Sequence, residues 1–143
     1  MAVDDHSRCA YIEQLPDERG ETCAAFLERA LAHFRGLGTR PEAVMSDGAV
    51  AYGRSRAFAA VQAAHRLRHI LTLPYTPRWN GKAERLIQTL KREWAYAHEW
   101  PSSAVRARAL SSWVRTYNRR RPHSSLGDRP PISHFHNVRG QDS

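Results

Sequence analysis

The stretch of residues 75–99, YTPRWNGKAERLIQTLKREWAYAHE, constrains the fold of this chain more than any other. Its apolar residues recur at the spacing of one buried helix face: Ala83, Leu86, Ile87, Leu90, Trp94 and Ala97. Asn80 and Gly81 stand directly before this pattern, and an Asn side chain caps a helix by pairing an otherwise free backbone N–H. We therefore predict an amphipathic helix that begins just after Asn80.

A single carboxylate, Glu84, stands near the start of this predicted helix among cationic side chains. The predicted start places Glu84 in the first helical turn, where an acidic residue complements the positive end of the helix dipole. The alternative is that Glu84 is a site residue in a basic environment, because Lys82, Arg85 and Arg92 are predicted to lie off the buried face. The helix pattern alone is compatible with both interpretations.

The charge balance points to a polyanionic partner. The chain has 143 residues, a net charge of +8 and a pI of about 10.3, and most of its cations are arginines. Arginine suits bidentate contact with phosphate, so the excess favours nucleic acid as a partner. A GC-rich genome, in which coding bias replaces lysine with arginine, is the alternative explanation.

The cysteines and the lack of long apolar segments indicate the cellular compartment of the protein. Cys9 and Cys23 lack metal-binding spacing and are predicted to be reduced thiols in a cytoplasmic protein. No apolar run approaches the roughly 20 residues of a membrane span, and the first residues do not resemble a signal peptide. We therefore expect no membrane partner.

Strands and helices alternate along the chain, which predicts an α/β fold with a mixed sheet flanked by helices. Strands are predicted at residues 2–3, 9–15, 43–45 and 68–73, and the first two are predicted to form a hairpin. Helices are predicted at residues 21–37 and 55–65 and after Ser102, with Ser55 and Ser102 as N-caps. The buried stripe of the first helix is predicted to consist of Ala24, Leu27, Ala30, Leu31 and Phe34.

The strand at 43–45 leads directly to Asp47. A carboxylate at the carboxyl end of a strand is typical of a site in an open α/β sheet, although Asp47 can equally cap the turn before Gly48.

Asp47 and Glu84 together predict a metal site. Two carboxylates on a rigid scaffold can hold Mg²⁺, which prefers oxygen ligands. Such ions activate a water or a 3′-hydroxyl at a phosphodiester. Nearby cations would hold the nucleic-acid backbone, and Trp79 could stack on a base.

Four motifs give the chain a family resemblance: VDDHSR, SDGAVAY, PYTPRWNGKAERLIQTLKREW and YNRRRPHSSLGDRPP. They resemble the catalytic core of bacterial insertion-sequence transposases of the retroviral-integrase type. This resemblance implies a ribonuclease-H-like fold, a DDE triad with Mg²⁺ or Mn²⁺, DNA cleavage and strand transfer at transposon ends and target, and a homo-oligomer on DNA. Asp47 matches the second acid and Glu84 the third. The predicted DNA-binding residues are Arg78, Trp79, Asn80, Gly81, Lys82, Arg85, Lys91, Arg92, Arg119, Arg120 and Arg121.

The chain departs from this family at its start. The first acid of such proteins lies on a central strand upstream of the segment that resembles VDDHSR, and Asp4 and Asp5 match a turn pair instead. We therefore expect residues 1–132 to be a core that lacks this first strand, followed by a polar tail at 133–143. The metal would need a third acid from outside this chain, so we expect the polypeptide to be inactive as given. The alternative is a non-catalytic DNA-binding remnant of a transposase.

Overall fold

The computed structural model of the chain describes residues 1–46, 54–71, 77–95 and 99–134. The chain divides into two compact units, one made of residues 13–80 and the other of residues 1–12 with 81–143. The boundary between Asn80 and Gly81 falls within a helix.

The unit of residues 13–80 has an α/β arrangement. Helix α1 (Gly20–Gly36) packs on helix α2 (Arg56–Ala64), and strands β3 (Ala43–Ser46) and β4 (Arg68–Leu71) pair in parallel. Val44 of β3 joins the core between the helices. The buried residues of that core are Cys23, Ala24, Leu27, Leu31, Phe58 and Leu67. The periodic stripe predicted on α1 is therefore confirmed.

The second unit contains the remaining elements. In chain order they are strand β1 (Ala2–Val3), strand β2 (Ala10–Tyr11), helix α3 (Pro77–Leu90) from Gly81 onward, a π-helix (Lys91–Ala95), helix α4 (Ser103–Arg119) and a 3₁₀ turn (Ser124–Leu126). β1 and β2 form the predicted antiparallel pair. The Ser102 hydroxyl accepts a hydrogen bond from the backbone N–H of Val105 at 3.2 Å, which confirms the predicted cap of α4.

Two apolar clusters join the elements of this unit. Leu86 of α3 packs with Ala10 and Tyr117. Further along, Leu90 and Trp94 pack with Leu110 of α4. The Trp94 indole N–H donates to the backbone carbonyl of Arg106 at 2.9 Å, so the ring is both buried and hydrogen-bonded.

A side chain of α4 completes the hydrogen bonding of β2. The Asn118 side-chain oxygen accepts from the backbone N–H of Ala10 at 2.8 Å, and its amide donates to the Ala10 carbonyl at 2.9 Å. Both residues are buried. The Asn118 side chain thus does for Ala10 what the backbone of a neighbouring strand does in a sheet.

The predicted helix in residues 75–99 differs at both ends. α3 begins at Pro77, so Asn80 lies inside the helix and the prediction that it is the N-cap is wrong. Proline is favoured at the first helical position, because a backbone N–H there would have no partner within the helix. The α-helix then ends at Leu90 and continues as a π-helix to Ala95, with residues 96–98 outside the described ranges.

One strand is shorter than predicted, and another, β3, extends one residue further, to Ser46. β2 spans two residues, where residues 9–15 were predicted, because β1 offers it only Ala2 and Val3 as partners. Residues 72–73 of the predicted fourth strand lie outside the described ranges. The described strands form one antiparallel pair and one parallel pair, and no described strand joins the two.

Across the described ranges, no helix is both long enough and apolar enough to cross a membrane.

Replacing Asn118 with leucine should destabilise the second unit. The change leaves the buried N–H and C=O of Ala10 unpaired, at about 1–3 kcal/mol each. We expect a loss of about 2–4 kcal/mol in urea denaturation, together with faster hydrogen exchange of the Ala10 amide. Ser112→Ala, on the exposed side of the same helix, is the control. Equal stability of the two variants would contradict a role for Asn118 in holding β2.

Candidate nucleic-acid interface

The buried side of residues 81–95 fixes which side chains face solvent. Leu86, Leu90 and Trp94 are buried. The exposed row on α3 and the π-helix, which we call the α3 face, consists of Glu84, Arg85, Gln88, Lys91 and Arg92. Three cations and one carboxylate therefore share one solvent-facing surface, and its net positive charge suits a polyanion.

Glu84 lies deeper in the helix than the sequence predicted. It follows Pro77 by seven residues, which is about two helical turns, and the first turn of α3 contains no acidic residue. A helix dipole acts mainly within its first turn, so complementing it does not explain this carboxylate. Glu84 is exposed and forms no hydrogen bond or ion pair with another described residue. Within the described structure its charge is available to a ligand.

The side chain of Lys82 is held by the turn that joins β1 and β2. Its ammonium donates to the Asp5 carbonyl at 2.8 Å and contacts the Asp5 carboxylate at 2.5 Å. The Lys82 side chain is 37% exposed and that of Asp5 is 89% exposed. The contact is therefore open to solvent, and an anion that approaches Lys82 would compete with Asp5.

Gly81 occupies a helical position that packing does not explain. A Cβ built on it would meet no atom of the described residues within 4 Å. Glycine in a helix interior is about 1 kcal/mol less favourable than alanine. The missing side chain leaves open space beside Lys82 on the helix.

The three consecutive arginines after Asn118 have different environments. Arg119 and Arg120 are exposed, whereas Arg121 pairs with the Glu93 carboxylate of the π-helix. Glu93 also accepts from the Trp113 indole N–H at 3.3 Å. An open groove of about 390 Å³ is lined by Glu93, Trp113, Thr116, Tyr117, Arg120 and Arg121. Arg121 is thus partly neutralised within the unit, whereas Arg119 and Arg120 have no ion-pair partner among the described residues.

His123, in the same motif, has a packing role. Its ring lies edge-on to Tyr117 with centroids 4.8 Å apart. Burial lowers the pKa of His123, and the charges of Arg121 and Arg8 lower it further. The ring is therefore neutral near pH 7 and adds no positive charge there.

Asp47 lies outside the described residues, but the strand that leads to it is described. Ser46 ends β3, and its hydroxyl is 2.6 Å from Nε2 of His69 on β4. Burial lowers the pKa of His69, whose ring is 5.5 Å from that of Phe58. A hydrogen bond between the two strands thus lies next to the position of Asp47 in the chain.

The described residues alone do not make a metal site. Nowhere in the described ranges do three or more His, Cys, Asp or Glu side chains come together as metal ligands. A single carboxylate such as that of Glu84 has two oxygens, whereas Mg²⁺ needs about six oxygen ligands, several of them from water or phosphate. Arg78, Trp79 and Asn80 lie in the first turn of α3, and their side chains are outside the described part.

Comparison with known proteins identifies the family. Two family models, both described as integrase core domain, match residues 1–77 and 65–131. The chain belongs to the integrase core domain family. The 39.2 kDa uncharacterized protein of insertion element IS476 from Xanthomonas euvesicatoria is 34% identical over 144 residues, covering 100% of this chain and 37% of that protein. An uncharacterized protein of insertion element IS136 from Agrobacterium fabrum is 32% identical over 84 residues, covering 57% of this chain and 42% of that protein.

Solved structures show the integrase fold. A chain of the simian T-cell lymphotropic virus intasome, in complex with a PP2A regulatory subunit, matches with a TM-score of 0.75 and 25% identity over 94% of this chain and 46% of that chain. The catalytic core domain of BIV integrase matches with a TM-score of 0.72 and 16% identity, covering 98% of this chain and 86% of that chain. The predicted ribonuclease-H-like fold is confirmed. The integrase core described here spans less than half the length of its insertion-element relatives.

Sequence reasoning missed the internal partners in this integrase core. Glu93 was not identified as the partner of Arg121, nor Asp5 as that of Lys82. Asn118 carried a partial signal, because asparagine is unfavourable inside a helix unless its side chain finds a hydrogen bond, but the sequence does not name the partner. Ser46 and His69 carried no comparable signal, since their contact depends on the strand register.

Asp5→Asn should increase the reactivity of the Lys82 amine. The protein has two lysines, Lys82 and Lys91, so each labelled peptide identifies its lysine. Without the Asp5 carboxylate we expect acylation of Lys82 to rise about two- to threefold, a modest change because exposed ion pairs are weak. Lys91 serves as the internal standard, and Asp128→Asn, another exposed acid, controls for net charge. Mass spectrometry showing an unchanged ratio of Lys82 to Lys91 labelling would contradict the contact.

Proposed function

We propose that this chain acts in DNA transposition as part of an integrase-type core, in which Asp47 and Glu84 are two of three acidic ligands and α3 contacts DNA. The α3 face carries the proposal. It presents an unpaired carboxylate, two turns into the helix, among exposed cations. The helix dipole does not account for a carboxylate two turns into the helix, and within the described residues the side chain is free to bind a cation. The insertion-element relatives support the same function by their origin.

DNA contact in this proposal divides into two parts. Arg85, Lys91 and Arg92 lie on the exposed face and contact phosphates, which position the duplex without reading its sequence. At Gly81, where a Cβ would meet open space, the DNA backbone approaches the helix closely. Arg78, Trp79, Asn80, Lys82, Arg119, Arg120 and Arg121 are further proposed DNA contacts. By resemblance, several copies assemble on DNA in the cytoplasm.

The metal site in this proposal is incomplete within the chain. A divalent ion held there, Mg²⁺ or Mn²⁺, would activate a water or 3′-hydroxyl and stabilise the leaving oxygen. Glu84 and Asp47 would offer carboxylate oxygens to it. Because the resemblance assigns only two of the three acids, Asp47 and Glu84, we propose that the 143-residue polypeptide alone binds DNA without cleaving it. Its third acid would come from another segment.

A second candidate function is a DNA-binding module whose carboxylates never bind metal. The composition of the α3 face favours it, because three exposed cations there outnumber the single carboxylate. The two candidates agree that this polypeptide does not cut DNA, so a nicking assay does not separate them. Metal binding at Glu84 does separate them.

Glu84→Gln should remove Mn²⁺ binding while leaving DNA binding intact. On the unmodified chain we expect Mn²⁺ to broaden NMR signals around Glu84 and Asp47, because a paramagnetic ion relaxes nearby nuclei. The glutamine variant keeps the size of the side chain but loses the charge that a hard cation needs. Glu99→Gln, also exposed, is the matched control. Local broadening that persists in Glu84→Gln would exclude Glu84 as a ligand, and no local broadening in the unmodified chain would favour the second candidate.

Gly81→Ala should stabilise the protein and weaken DNA binding at the same time. Alanine is favoured over glycine in a helix, and the added Cβ meets no described atom, so we expect a gain of about 0.5–1 kcal/mol in the free energy of unfolding. The methyl group obstructs close approach of the DNA backbone, and we expect affinity to fall about tenfold, or about 1.4 kcal/mol. Gly36→Ala, at the end of α1 where a Cβ also meets open space, should leave affinity unchanged. A stabilised Gly81→Ala variant with full DNA affinity would contradict this contact.

A further inference from the structure

Helix α4 has a second basic surface, of which the motifs assign only its last residue, Arg119. One side of α4 is fixed by packing, with Leu110 and Tyr117 buried and Trp113 packed against both apolar clusters. The opposite side is exposed from Ala104 to Arg119. This outer side is available to a partner within the described structure of the unit.

Three arginines form a straight row on the outer side. Arg108, Arg115 and Arg119 are all exposed, and their separations of seven and four residues place them within about 40° of one another around the helix. At a rise of 1.5 Å per residue the row is about 16 Å long. Ser111 and Ser112, also exposed, lie between them. We call this row the α4 face.

The charge of the α4 face is not neutralised locally. Helix α4 contains no aspartate or glutamate. Arg108, Arg115 and Arg119 make no ion pair with another residue that the structure describes. Arg106 of the same helix differs, because its guanidinium lies over the Trp94 ring at 4.8 Å from the centroid and its role is packing. Helix α4 therefore has one arginine that packs on a tryptophan ring and three exposed arginines whose charges have no described acidic partner.

We propose that the α4 face binds the phosphate backbone of a DNA strand, as a second contact surface in addition to the α3 face. A row of guanidinium groups with hydroxyl donors between them matches a row of phosphates in charge and hydrogen bonding. This inference rests on the proposed function, since it concerns the same polyanionic partner. It adds Arg108, Arg115, Ser111 and Ser112 to the residues that contact DNA.

A protein partner fits this surface less well. Protein interfaces depend on a few large anchors, mainly aromatic residues and buried arginines in well-packed pockets. The exposed large hydrophobic residues in the described ranges are Met1, Met45 and Leu71, and none lies on α4. The outer side offers Ala104, Ala107, Ser111 and Ser112 between its charges. Small residues let a backbone approach closely but supply no anchor.

The test compares two triple variants of the whole chain with the same change in net charge. One replaces Arg108, Arg115 and Arg119 with glutamine. The other replaces Arg35, Arg40 and Arg56, which are exposed in the unit of residues 13–80. DNA affinity is measured over a range of salt concentrations, because each lost phosphate contact reduces the slope of log K against log salt by about 0.9. We expect a reduction of about 2.7 for the α4 variant and less than 1 for the control.

A variant with lysine at the same three positions controls for misfolding of the α4 variant. Lysine keeps the charge, so Arg108, Arg115 and Arg119 replaced by lysine should keep a slope close to that of the unmodified chain. An equal reduction of the salt slope in the α4 triple variant and the control triple variant would overturn the inference. Binding of polyglutamate by the α4 face with the same affinity as DNA would also overturn it. If the unmodified chain fails to bind DNA, the proposed function fails as well. If Arg85 and Arg92 variants weaken binding but the α4 triple does not, this inference alone fails.

Discussion

The two hydrogen bonds between the Asn118 side chain and Ala10 constrain the whole unit of residues 1–12 and 81–143. Ala10 is fully buried, and buried backbone groups must be paired. The strand pair that contains Ala10 has only two residues in each strand, so its own ladder is too short to hold it. Asn118 therefore fixes the end of α4 against β2 across 108 residues of sequence. Because Asn118 holds the end of α4 in place, this contact also positions the three arginines that follow it.

The features that sequence predicted well are local ones. The stripe on α1 and the serine caps of α2 and α4 depend on residues three or four positions apart, and the structure confirms each of them. The start of α3 was wrong because two local preferences competed, and proline at the first helical position prevailed over the asparagine cap. The contact between Asn118 and Ala10 was not predictable, because no local pattern specifies a partner 108 residues away.

The candidate site divides in the same way. Glu84 and the cations of α3 stand out in sequence, because a carboxylate among basic residues is visible without a structure. Their environments are not visible there. Asp5 holds Lys82 and Glu93 holds Arg121, and both pairings depend on how the elements pack. The structure therefore separates cations that carry internal partners from those on the α3 and α4 faces that do not. Coding bias can explain the number of arginines, and exposed arginines without a described partner also occur elsewhere, such as Arg35, Arg40 and Arg56, so it is the grouping on the two faces that points to a polyanion.

Helix α3 breaks one local preference, at Gly81, and three residues later it carries Glu84, whose carboxylate is free within the described residues. Gly81 weakens a helix interior where a Cβ would meet open space, and Glu84 places a carboxylate beyond the first turn, exposed and without a described partner. The glycine lowers the stability of the helix and improves no packing, whereas the exposed glutamate is an ordinary helix residue whose carboxylate no described residue binds. Natural proteins break such rules mainly at functional sites, where a ligand supplies the missing interaction. A polyanion close to Gly81 and a cation bound to Glu84 would supply the missing interactions. The proposed phosphodiester chemistry needs both a nucleic acid and a metal ion, and this helix would contact the two together.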